Sequence, residues 1–354
     1  MGLITQSRDK DTPSPADSPN FETEQTHHAQ KKRRKKPTMA DLTFTLNTGT
    51  KMPAIGYGTW QAPPGVVADG VYHALKTGYR LIDCAYCYGN EAEVGEGLAR
   101  AVSEGIVTRA DVFVVTKVWA TYTTRVQLGL DKSLANLGLD YVDLFLVHWP
   151  LLMNPQGNDD KFPKLPDGSR DIVRQGYHHT DTWAQMEALV DPAGGAGKQA
   201  RAVGVSNYSA RYLGELLQVA KVVPAVNQIE NHPALPQNDI VRLCKEKGIH
   251  IMAYSPLGST GGPLFKEEIV LKVAKKHGVE PANVLLSWHI PRGSTVLAKS
   301  VTPSRIESNF KIVRLDDEDV KLLDGYAEEL ERTGKVQRFV YPPFGIEFGF
   351  PDKS

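Results

Sequence analysis

The chain has 354 residues, 41 basic against 41 acidic, and only three cysteines, so it is formally neutral and has no disulfide framework to lean on. Residues 1–38 hold eight basic and five acidic side chains and the remainder 33 and 36, which excludes a nucleic-acid-binding role for the main part of the chain. No early stretch has the apolar core of a secretory signal, and none is long enough to span a bilayer; a reducing, cytoplasmic setting is expected.

Residues 1–38 lack apolar periodicity and are rich in Asp, Thr, Ser, Pro and Gln, which predicts a disordered basic tail before one domain over 39–354. The basic run at 31–37 resembles a nuclear-localisation signal, so a nuclear location is possible if the tail is used. The alternatives are a solvated tail or an upstream start codon that is not used, with Met39 opening the domain.

Residues 42–46 alternate, Asn47-Thr48-Gly49 turns the chain, and Met52 resumes the pattern: a hairpin, expected to plug the bottom of a barrel. Ile55-Gly56-Tyr57-Gly58-Thr59-Trp60 reads as a first strand and its loop; Gln61 stands where a dinucleotide fingerprint needs glycine, so there is no Rossmann motif. Strand-like and helix-like runs then alternate. Helices are predicted over 66–76, after Glu91, over 125–137, around Trp183, over 238–247, 264–276, 281–290 and 316–331, with a short one opening at Pro303. Strands are marked by Ile55, Leu81, Val112, Val142, Val203, Val226, Ile251 and Val296; eight of them predict an α/β chain closing as a (β/α)8 TIM barrel. The proline- and glycine-rich segment 151–178 leaves the strand that carries His148 and is expected to wall a pocket. The glycines at 192–197 read as a surface insertion or a gene-model fault. The aromatic end, 339–350, is expected to fold over the barrel mouth.

Four side chains fall at the ends of three successive strands: Asp83, Tyr88, Lys117 and His148. A parallel barrel gathers such ends on one face. A phenol is a poor proton donor at neutral pH, so Tyr88 calls for a nearby cation to lower its pKa, and Lys117 is the candidate. Cys84 and Cys87 form a C-x-x-C with no second pair, and are read as packing residues near the pocket rather than as a metal or redox site.

The segments LIDCAYCYGNE, VVTKVW and LFLVHWP resemble the catalytic motifs of the aldo-keto reductases. That resemblance implies hydride transfer from NADPH to a carbonyl carbon, with Asp83, Tyr88, Lys117 and His148 as the tetrad and no metal. It implies that Ser206, Asn207 and Gln228 hold the nicotinamide carboxamide and that Tyr254 stacks on its ring, with Ser255 and Leu257 beside it. Lys299, Ser300, Thr302, Arg305 and Asn309 resemble the site for the 2′-phosphate and adenine, where Thr302 as N-cap and Pro303 open a helix whose positive end suits phosphate. Glu307 stands one position earlier than the glutamate common in relatives. Trp60, Trp119 and Trp149, with His148, are expected to line the substrate pocket. Residues 154–171 and the tail RFVYPPFG look most like fungal NADP-dependent glycerol dehydrogenases, which implies glyceraldehyde or dihydroxyacetone and glycerol as the pair interconverted, by a monomer or weak dimer. An aldose or xylose reductase, or an NADPH-binding regulatory or channel-associated subunit with slow turnover, is the alternative.

Overall fold

The computed structural model describes residues 42–190, 197–259 and 261–353. The tail 1–38, with its basic run at 31–37, and the glycines at 192–196 lie outside the described residues.

β1 (Thr43–Thr45) and β2 (Lys51–Pro53) form the antiparallel hairpin. Eight parallel strands follow: β3 (Ile55–Gly58), β4 (Leu81–Asp83), β5 (Phe113–Val118), β6 (Leu144–Val147), β7 (Val203–Ser206), β8 (Val226–Glu230), β9 (His250–Tyr254) and β10 (Thr295–Ala298). β10 pairs with both β9 and β3, which closes the barrel.

Successive side chains on a strand point to opposite faces, and two separate clusters register that alternation. Leu81, Phe113, Val115, Leu144, Leu146, Val226, Met252 and Leu297 pack together inside the barrel, while Ile82, Val114, Phe145, Val147, Ile229, Ile251 and Val296 pack outward with the helices. Leu46 and Met52 of the hairpin join the inner cluster beside Leu81, Phe113 and Leu144, the first residues of their strands or next to them, so the hairpin closes the bottom. The interior is tight enough to require glycine: a Cβ on Gly56 would lie 2.3 Å from Leu81 and 2.7 Å from Leu297, and one on Gly204 would lie 2.6 Å from the Val226 carbonyl oxygen.

The helices are α1 (Val67–Thr77), α2 (Glu91–Ser103), α3 (Val126–Leu137), α4 (His179–Glu187), α5 (Ala210–Leu217), α6 (Asn238–Glu246), α7 (Glu268–His277), α8 (Pro281–Trp288), α9 (Pro303–Asn309) and α10 (Asp317–Arg332). α5 was not expected from the sequence; Ser209 caps it by accepting the Tyr212 N–H, and Leu213 and Leu216 are its buried face. The helix expected over 264–276 is divided. Glu267 is extended, separating a 3-10 turn at Pro263–Lys266 from α7. Val142 makes only a lone bridge to Ala200, so β6 starts two residues later than expected.

Candidate active site

The strand alternation that builds the barrel interior also builds its upper face. Leu81 faces inward, so Asp83 does; Val115 places Lys117, and Leu146 places His148. By the same parity Val226 leads to Gln228, Met252 to Tyr254, and Leu297 to Lys299. Tyr88 arrives differently, on a 3-10 turn (Tyr86–Tyr88) after β4 that ends at Gly89, whose φ of 72° is left-handed.

Lys117 is fully buried, with Nζ 2.9 Å from both Asp83 carboxylate oxygens, 2.8 Å from the Cys84 carbonyl and 3.3 Å from the Tyr88 hydroxyl. An ammonium only donates, so Tyr88 oxygen accepts here and its own proton stays free to point elsewhere. Asp83 takes a further hydrogen bond from Gln228 Nε2 at 2.7 Å. The Gln228 amide nitrogen thus braces the carboxylate, and its carbonyl oxygen is left for the cofactor it is expected to hold.

One expectation is corrected by these surroundings. Lys117 does not bring Tyr88 below the ordinary phenol range: burial first, then the Asp83 carboxylate, hold the hydroxyl well above it. The carboxylate that grips Lys117 offsets the ammonium charge felt at the phenol. Tyr88 is therefore neutral and keeps its proton across the physiological range.

His148 is buried, and burial, with Lys117 second, holds its ring well below the usual histidine range, so the imidazole is neutral. Its Nδ1 lies 3.4 Å from Cys87 Sγ, and burial pushes the Cys87 thiol up, so sulfur carries a proton. Sequence reasoning gave Cys87 a packing role and missed this contact, which spans 61 positions. Trp119 and Tyr88 meet the His148 ring edge-on at 5.2 and 5.6 Å.

The walls follow from the long loop and the tail. Trp119 is buried and its Nε1 donates to the Lys161 carbonyl; Trp149 is buried against Phe348 at 5.0 Å; Trp60 stays 40 % exposed at the rim, 6.4 Å from Tyr88. Phe344 of the tail lies 6.4 Å from Trp119 and 6.0 Å from Trp149, so the aromatic end does cover the mouth. Glu230, fully buried at the end of β8, accepts the Phe339 and Val340 N–H groups at 2.8 and 2.9 Å and pins the tail down. An acid closing the strand Val226–Glu230 was the signal for it.

On the adjoining side, Asn207 adopts a left-handed φ of 61°, donates to the His148 carbonyl at 2.9 Å and to Ser206 Oγ at 3.0 Å, and accepts the Tyr254 hydroxyl at 2.7 Å. Ser206 Oγ donates to the Gln228 carbonyl, and Ser255 is also left-handed at 49°, turning the chain toward the half-buried Leu257. Lys299 Nζ donates to the Gln61 carbonyl at 3.1 Å. Ser300 Oγ accepts the Thr302 N–H at 3.1 Å. Thr302 stands at the N-cap of α9 as expected, but its hydroxyl makes no capping bond; Pro303 follows it. Arg305 is exposed, and neither it nor Lys299 has a carboxylate within 4.0 Å among the described residues. Asn309 is buried to 6 % exposure. Two uncompensated cations beside an uncapped first turn suit phosphate oxygens. Glu307 is bound to His73 at 2.9 Å and does not fill the position one residue on.

Among the described residues, one cluster has metal-ligand composition: His178, His179 and Glu215, with ligand atoms within 4.8 Å of one another and none of the four tetrad residues among them. No helix among them is long and apolar enough to cross a membrane.

The model of the aldo/keto reductase family matches residues 48–328. The chain is 62% identical over 316 residues to a D-galacturonate reductase of Hypocrea jecorina, covering 89% of this chain and 100% of that protein. It is 45% identical over 300 residues to a glycerol 2-dehydrogenase (NADP(+)) of Saccharomyces cerevisiae, covering 82% and 93%. Among solved structures, the aldose reductase of Schistosoma japonicum superimposes with a TM-score of 0.74 at 37% identity, over 80% of this chain and 91% of that one.

Proposed function

Because this chain belongs to the aldo/keto reductase family, an NADP-dependent group of oxidoreductases acting on carbonyl and CH–OH groups, we propose that Asp83, Tyr88, Lys117 and His148 are its catalytic centre. The observation that carries this is the fully buried Lys117 ammonium, shared between Asp83 and the oxygen of a phenol whose own proton is free.

NADPH, when bound, supplies the hydride. The chain's own residues supply the rest. Tyr88 gives its proton to the substrate oxygen as negative charge grows there, and Lys117 stabilises the phenolate left behind. Asp83, braced by Gln228, keeps Lys117 in place. His148 orients the same oxygen: its Nδ1 lies 3.4 Å from Cys87 Sγ, we take the thiol as the donor there, and that choice leaves the ring proton on Nε2, where it can donate. Ser206, Asn207 and Gln228 are proposed to hold the nicotinamide carboxamide, Tyr254 to stack on the ring, with Ser255 and Leu257 beside it, and Lys299, Ser300, Thr302, Arg305 and Asn309 to hold the phosphate and adenine end. Trp60, Trp119 and Trp149 line the substrate side.

The substrate reading we favour is a sugar-derived aldehyde of the uronate type such as D-galacturonate, supported by full-length similarity to a reductase named for it. The second reading, glyceraldehyde or dihydroxyacetone paired with glycerol, is supported by similarity to the glycerol 2-dehydrogenase. Both readings describe a cytoplasmic enzyme, monomeric or weakly dimeric, acting on a free small molecule. The test is NADPH oxidation with D-galacturonate, D-galactose, glyceraldehyde and dihydroxyacetone, and glycerol with NADP in reverse. Activity on glyceraldehyde with none on D-galacturonate would reverse the order of the two; activity on neither would remove both.

A further inference from the structure

The loop between β6 and α4 fixes one backbone position hard against the mouth. Asp159 Oδ1 accepts the N–H groups of Lys161 and Phe162 at 2.8 and 2.6 Å, and the Lys161 carbonyl accepts Trp119 Nε1. Next to it, the Asp160 carboxylate takes the Tyr86 and Tyr122 hydroxyls and its carbonyl accepts Thr121 Oγ1 at 2.7 Å. Lys161 is thus held to residues flanking Tyr88 and Lys117, on a loop tied down rather than hanging in solvent.

Its side chain is half-buried. Nζ lies 3.3 Å from where a Cβ on Gly89, the residue after Tyr88, would stand, and 5.4 Å from the centre of the Tyr86 ring. No carboxylate of the described residues lies within 4.0 Å of it, and the neighbouring Asp159 and Asp160 carboxylates, which feel its charge from farther off, are already engaged by the Lys161 and Phe162 N–H groups and by the Tyr86 and Tyr122 hydroxyls. Nor does the tetrad offset its charge, because Lys117 and Asp83 neutralise each other. A half-buried ammonium that makes no close ion pair, beside the turn that carries Tyr88, can take a substrate carboxylate as its hydrogen-bonded partner.

We propose that Lys161 is a specificity-determining residue that binds the carboxylate of an aldehyde acid while the aldehyde end of the same molecule lies at Tyr88. The proposal rests on the reading of Tyr88 as proton donor to an aldehyde, and deepens it to a substrate class. In a uronate, aldehyde and carboxylate stand at opposite ends of one sugar chain, and the two protein groups would read both ends.

The experiment compares wild type, Lys161→Met and Lys161→Arg on two matched pairs: D-galacturonate with D-galactose, and succinic semialdehyde with butanal. Lys161→Met is expected to raise KM about tenfold for the two acids, with kcat nearly unchanged and the neutral partners changed less than twofold, because the contact is made equally in ground and transition states. Lys161→Arg is expected to keep most of the preference. An equal loss on butanal would mean that Lys161 serves only the loop, and an unchanged KM for both acids would remove the subsite; either overturns the proposal. The two readings fail separately. A wild type that prefers succinic semialdehyde to butanal, loses that preference in Lys161→Met and ignores D-galacturonate keeps the subsite and loses the galacturonate reading; one that reduces D-galacturonate equally well as Lys161→Met does the reverse.

Discussion

The two ends of the proposed site are built on opposite plans. At the tetrad every polar group is braced by another: Lys117 by Asp83 and Cys84, Asp83 by Gln228, His148 by Cys87 and, through its carbonyl, Asn207. At the phosphate end, Arg305 is exposed, Lys299 touches one carbonyl and Thr302 caps nothing. A group that must act on a reacting atom gains from being positioned beforehand, because no reorganisation is then needed as charge develops. A group that must admit and release a charged ligand gains from staying hydrated until the ligand arrives.

If that contrast is right, substitutions at the two ends fail in different currencies. Tyr88→Phe should lower kcat by roughly 10³-fold, while NADPH binding, followed by fluorescence titration, stays as in wild type; a mutant with normal turnover ends the assignment. Lys117→Met should abolish turnover too, but also cost about 3–5 kcal/mol in urea unfolding, since it strands the Asp83 carboxylate in the interior. Arg305→Ala should leave folding and kcat alone and raise KM for NADPH about tenfold, with KM for NADH unmoved. Equal effects on both cofactors would place the phosphate elsewhere.

Acid sharpens the same contrast. His250 sits where β9 starts, its Nε2 accepting the Thr295 N–H at 3.2 Å, and burial lowers its pKa from 6.5 to about 4. The unfolded chain then takes up a proton near pH 6.5 that the folded chain refuses until about pH 4. Stability should be full above pH 6.5 and fall as pH drops toward 4, by up to about 1.4 kcal/mol per unit for each such histidine; buried His148 and His289 act in the same direction. Chemical denaturation at a series of pH values measures it, and a flat profile would contradict it. The smallest effect is expected at Cys87: Cys87→Ala should lower kcat by roughly 2- to 10-fold, Cys87→Ser should restore it, and the His148 ring ¹⁵N shifts should follow the tautomer.

Much of this geometry could be read in the chain because it rests on a period of two. Once Leu81, Val115 and Leu146 are taken as inward-facing, Asp83, Lys117 and His148 follow, and the same step gives Gln228, Tyr254 and Lys299. The hairpin plug was legible from the same period, and the closure of eight strands from strand-like runs alternating with helix-like ones. What escaped depends on the third dimension or on weak local signals. The Cys87 contact to His148 and the Gln228 bond to Asp83 join positions 61 and 145 apart, with no periodicity linking them. The raised Tyr88 pKa reflects dehydration, which spacing does not encode. α5 has Gly214 inside it and no proline at its start, and its buried residues are Leu213 and Leu216 alone, too few for periodicity to announce. The break before α7 carried no such marker, since Glu267 stands among Phe265, Lys266, Glu268 and Ile269 with no glycine or proline at the break.

β8 joins two jobs in one short strand. Its third residue, Gln228, steadies the carboxylate under the reacting groups, and its last, Glu230, holds the first turn of the chain that roofs them. Lifting the roof at that point means giving up two backbone bonds to a dry carboxylate whose strand also supports the floor. A change at Glu230 should therefore be felt in two places at once, in the seating of the tail and, through the strand it ends, in the carboxylate that Gln228 steadies.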